Sequence, residues 1–151
     1  MTLSEGERLL AYARTADGGW AAGTDRALHL GNGRVLGWHQ VDQARWVETD
    51  QVLEVVTLPE VSTAAQMHRV AIPVPGLLPE LVRERVTSNI VAAERVDLVG
   101  AAGARLLARR VPGVPTIRWS AVYDAGVDSG DPAVQERVRA AVAALQSRLG
   151  V

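Results

Sequence analysis

The chain contains no cysteine, no phenylalanine and no lysine in its 151 residues. The missing cysteine excludes disulfides, thiolate nucleophiles and Cys-ligated zinc. Without phenylalanine, Val, Leu, Ala and four Trp must fill the core, and each fully buried Trp is expected to be worth about 3–5 kcal/mol. All sixteen basic residues are Arg. Together with abundant Ala, this uniform usage reads as the codon composition of a GC-rich genome rather than as sixteen sites selected for bidentate pairing. A net charge of −1 supplies no global field to draw in nucleic acid or anionic lipid. No apolar run approaches the roughly 20 residues needed to span a bilayer. The first ten residues carry Glu5 and Glu7 without a basic or apolar leader segment, which predicts no signal peptide. A cytoplasmic protein without membrane contact is the resulting expectation.

What is present begins as short apolar runs separated by turn chemistry. Residues 7–15 end before Asp17-Gly18, a hairpin signal, and residues 20–24 form the return strand. Residues 27–30 and 34–38 flank Gly31-Asn32-Gly33, which tolerates the positive φ of a tight loop. The glycines therefore read as a chain reversal and not as a ligand loop. Further strands are predicted over 44–48, 52–57 and 66–72, with a turn after Trp38 and a longer link over 58–65. Gaps this short favour sequential antiparallel pairing and leave no room for crossover helices.

The period changes at Leu78. Leu78, Leu81, Val82, Val86, Ile90 and Val91 follow helical spacing, which predicts a helix over 79–94 behind Pro73 and Pro75. Residues 105–111 and 116–124 predict a hairpin around the Pro-Gly-Val-Pro loop, with the Gly-rich stretch 99–107 supplying a flexible connector. Asp131 as N-cap, Pro132 at the first helical position and Gly150 beyond the end delimit a terminal helix. Its buried stripe is expected to be Val134, Val138, Val142, Leu145 and Leu149.

The order of seven short strands and one helix, with Gly6, Glu7, Thr24, Asp25, Arg26, Leu28, Trp38 and Val41 in place, resembles the bacterial pleckstrin-homology-like (PH-like and GRAM-like) domains over about residues 5–94. The whole-chain layout is similar to that of proteins from high-GC bacteria and implies no activity. The resemblance implies an α+β fold: an antiparallel barrel of about seven strands capped by a helix over residues 1–95. A β-hairpin and a C-terminal amphipathic helix over 96–151 would then pack on the barrel or on a second chain. It also implies a non-enzymatic binding or assembly module, with a protein or peptide partner or a second copy of the chain.

Candidate chemistry is sparse. His29, His39 and His68 with Asp42 offer imidazole and carboxylate ligands for a metal or an enzyme site, although no pair has i, i+4 spacing and His39 with Asp42 also reads as turn capping. Ser62, Ser88 and Ser120 lack a nucleophile elbow. The stretch 99–107 lacks the parallel βαβ context of a dinucleotide site. No cofactor and no metal are expected. In the first hairpin Arg14 stands against Asp17, and one such Arg supplies only about 1 kcal/mol at an anionic surface. The tail offers more: Arg105 and Arg109 share a strand face, Arg118 lies across the hairpin and Arg110 points the other way. Such a strip could contact an acidic partner, a phosphate or a nucleic-acid backbone. Equally, it could be a solvated face paired with acidic residues of the last helix, and nucleic acid is the less expected partner because no aromatic interleaves with the Arg.

Overall fold

The computed structural model describes residues 2–59 and 64–150. Three antiparallel sheets and two helices make up an α+β fold. The first sheet runs β1 (Leu9–Arg14), β2 (Trp20–Thr24), β3 (Ala27–His29) and β4 (Val35–Gly37), each strand beside the next in sequence. The expected hairpin chemistry holds. Gly18 lies at φ +92°, and Gly31 and Gly33 at +83°, while the Leu30 N–H closes the Gly31–Gly33 loop onto the Arg34 carbonyl at 3.0 Å.

A 3-10 turn (Trp38–Gln40) leads into the second sheet, β5 (Val41–Val47), β6 (Val52–Thr57) and β7 (Met67–Ala71). β5 starts three residues earlier than residue spacing suggested, because the turn is complete by Gln40. At one corner the two sheets touch: the Ala16 N–H donates to the Ala71 carbonyl at 2.9 Å. They do not form one closed barrel. Helix α1 (Leu78–Asn89) lies against both, and the main core gathers Leu28, Trp38, Val41, Leu53, Ile72, Leu78 and Val82. Trp38 alone of the four Trp is fully enclosed. Its indole N–H donates to the Thr24 carbonyl at 2.9 Å, which answers the polar demand of a buried ring. Trp20 is 44% exposed, contrary to the expectation that every Trp would fill core.

The expected helix over 79–94 is corrected at its C-terminus. Asn89 is buried and its amide donates to the Arg110 carbonyl at 2.7 Å, and from Ile90 the chain is extended as β8 (Ile90–Val99). The presumed connector is also strand. β8 turns at Gly100 into β9 (Ala102–Val111), which pairs with β10 (Thr116–Tyr123), so the expected hairpin is a three-stranded sheet in the order β10-β9-β8. Gly103 is required there: a Cβ would stand 1.9 Å from the Val96 carbonyl oxygen.

Helix α2 (Pro132–Leu149) closes the chain with the expected caps: Asp131 accepts from the Ala133 N–H at 2.9 Å, and Gly150 takes the left-handed conformation. Val134 and Val138 pack on Leu98, Ala104 and Tyr123, so part of the helix stripe is covered by its own chain. Leu149 remains 44% exposed.

Candidate functional site

β9 is the middle strand of the third sheet, and both of its faces are covered. On one face Ala104 packs with Val134 and Val138 of α2. The alternate face carries Arg105, Leu107 and Arg109 toward the second sheet and α1. Arg105 grips Asp42 with both terminal nitrogens, at 2.9 and 3.0 Å, and the Asp42 side chain is only 8% exposed. Arg109 is 1% exposed. Its guanidinium donates to the Val86 carbonyl at 3.3 Å and to the Asp42 carbonyl at 3.4 Å. Val86 lies in the last turn of α1, where carbonyls lack helical partners and the dipole is negative, so Arg109 acts as a cationic cap. Burial pulls its guanidinium below the ordinary range, and Asp42 opposes this while Arg105 adds to it.

The Arg strip, a candidate partner surface or solvated face in the sequence, is turned inward at Arg105 and Arg109, where it joins β9 to β5 and α1. Arg105 and Arg109 turn to β5 and α1 and not to acidic groups of α2, and Arg148 of α2 pairs with Glu94 of β8. Asp42 belongs to this joint and not to a turn with His39. Arg118 lies directly opposite Arg109 in the ladder, as expected, but on the edge strand and exposed.

The three histidines do not come together. His29 lies on β3 and meets Glu7, His39 in the 3-10 turn folds over Gly37, and His68 lies on β7. Burial, reinforced by the charge of Arg34, holds His68 below the ordinary imidazole range. Among the described residues no three His, Asp or Glu side chains are placed to hold a metal. Ser62 lies outside the described residues. In the first hairpin Arg14 stacks over the Trp20 ring at 5.2 Å, and Asp17 is taken up by the Thr15 hydroxyl and the Gly19 N–H.

A groove of about 540 Å³ runs past β10. Its lining includes residues 118–121 in succession. Successive strand residues point to opposite faces, so a cleft that touches four in a row follows the edge of the strand instead of one face. β10 is that edge strand. His39 and Leu58 form part of one wall, and Gly130 and Gln135, at the start of α2, part of the other. Sequence reasoning missed this cleft because its walls come from segments far apart in the chain. The alternation of residues 116–123 was legible, but not which side of the strand would stay unpaired. Among the described residues no helix is long and apolar enough to cross a membrane. Comparison with family models, with curated proteins and with solved structures finds no match to this chain.

Proposed function

We propose that this chain is a non-enzymatic binding module of the cytoplasm that takes an extended peptide as an added strand along β10. The observation that carries this is the groove lined by consecutive edge-strand residues 118–121. An edge strand presents unpaired backbone donors and acceptors. A peptide laid beside it would satisfy them by main-chain hydrogen bonds, with alternate side chains entering the two walls. Trp119, Ala121 and Leu58 offer apolar contact within the groove.

The first two sheets with α1 are read as an opened PH-like barrel. Seven strands divided four and three, a helix directly after them, and the Ala16–Ala71 hydrogen bond at the corner support this reading.

The test screens immobilised ten-residue peptides, then measures amide hydrogen exchange of β10 with a retained peptide. Slowed exchange at alternate β10 amides and a shift in Trp119 emission are expected. Of the adjacent substitutions Ser120→Pro and Ala121→Pro, one removes a ladder N–H and the other an edge N–H. The variant that stays folded should bind no peptide. Unchanged β10 exchange with bound peptide overturns the proposal. So does a stable dimer whose β10 amides are already protected, which would assign the edge to a second copy of the chain.

A further inference from the structure

The outer face of the first sheet carries a buried carboxylate–histidine contact that is separate from the β10 groove. His29 stands opposite Ala22 on one side and Val35 on the other, with Trp20 farther along β2. The segment before β1 turns at Gly6, φ +78°, and lays Glu7 over this face with its side chain only 4% exposed. One carboxylate oxygen accepts the Ser4 N–H at 2.9 Å. The other accepts the Thr24 hydroxyl at 2.5 Å and meets His29 Nε2 at 3.2 Å. Burial pushes the Glu7 carboxyl up, but the hydrogen bonds from Thr24, Ser4 and His29 outweigh it and hold Glu7 below the ordinary range. Glu7 is thus a carboxylate at neutral pH, and Nε2 of His29 carries the hydrogen that faces it.

The other ring nitrogen, Nδ1, makes no hydrogen bond among the described residues. His29 lines a pocket of about 450 Å³, a volume within the range of small-molecule sites. Trp20 and Val35, 44% and 52% exposed, give that pocket apolar wall. Arg34 lines it as well. Its guanidinium reaches only Gln66 Oε1, at 3.4 Å, and pairs with no carboxylate among the described residues. Among the described residues no Asp or Glu lines the pocket. Arg34 therefore brings one guanidinium to an apolar-walled pocket, which suits a ligand with one planar carboxylate.

We infer that this pocket binds a small organic monocarboxylate with an apolar body, its carboxylate held by Arg34 beside His29, its body against Trp20 and Val35. Glu7 fixes the orientation of the His29 ring from behind through the contact at Nε2. The Arg fork matches a planar carboxylate bidentately.

The experiment titrates the full chain with benzoate, 3-methylbutanoate, benzamide and inorganic phosphate, by calorimetry and by ring-nitrogen NMR of the histidines. Saturable binding of at least one carboxylate is expected, with the His29 ring signals moving and benzamide silent. Arg34→Gln and His29→Gln should each weaken that binding about tenfold or more. Arg34 is exposed, so its variant keeps the fold even where loss of His29 disturbs Glu7. Neither carboxylate saturating at millimolar concentration would overturn the inference, as would phosphate binding in their place or full affinity in Arg34→Gln. Because β10 takes no part, the outcome is independent of the peptide groove.

Discussion

The two halves of this molecule are held together in different ways. The first two sheets and α1 close around a dry cluster in which Leu28, Trp38, Leu53, Ile72 and Leu78 are all at most 1% exposed. The third sheet has a much smaller apolar cluster, built on Leu98, Ala104 and Val134. Around it the polar ties multiply. Arg105 and Arg109 reach back to β5 and α1, and Arg95 and the Gly103 N–H converge on Asp124. Arg137 donates to the Leu98 carbonyl at 2.8 Å. A three-stranded sheet with one helix on its outer face offers little apolar area, so position is set there by hydrogen bonds and charge, which depend on direction as burial does not.

The largest expected break in this contrast is Trp38→Ala, which empties the first core and removes an enclosed N–H donor. A loss of about 3–5 kcal/mol is expected in urea unfolding; a loss below about 1 kcal/mol would mean that the ring does not hold the sheets together. Next comes Asp42→Asn at the joint. Breaking a fully buried pair costs about 3–5 kcal/mol, but Arg105 keeps access to water, so about 2–3 kcal/mol is expected. Hydrogen exchange should quicken in β9 and the last turn of α1 before it does in β2 and β3. Equal acceleration everywhere would remove the distinction between a dry core and a charged joint.

The smallest effect concerns acid. The Arg95 hydrogen bond, with that from the Gly103 N–H, holds the Asp124 carboxyl at about 2. Because the folded value lies below the ordinary one, its contribution is present above pH of about 4 and fades as pH falls toward about 2. Asp124→Asn should flatten that part of the acid unfolding curve read at Trp119, while leaving the Trp38 signal nearly unchanged. An identical curve for the variant would dismiss Asp124 as a tie.

Much of the first region was legible because its signals are local. Asp17-Gly18 and Gly31-Asn32-Gly33 specify loops through their own backbone freedom, and the periods of residues 52–57 and 134–145 follow from which side must be dry. The end of α1 was not legible. Val86, Ile90 and Val91 continue a helical spacing, and only the buried Asn89, tied to Arg110 across the next strands, stops the helix. The joint was hidden for a related reason: Asp42 and Arg105 lie 63 residues apart, and Arg spacing along a strand gives the face but not what that face meets. Glu7 and His29 were each visible as residues, yet nothing nearby in the chain marks them as neighbours.

Composition and periodicity by themselves determined the α+β class, the sequential antiparallel order, the hairpin loops and the capped terminal helix, because each depends on contacts within a few residues. Tertiary structure alone decided that the tail is a sheet packed between α2 and the front of the chain, that two of its Arg are structural, and that β10 pairs with β9 alone among the described strands. Those outcomes depend on which buried charge finds a partner and which strand is left last in a sheet. Both are settled by distance through space, which distance along the chain does not encode.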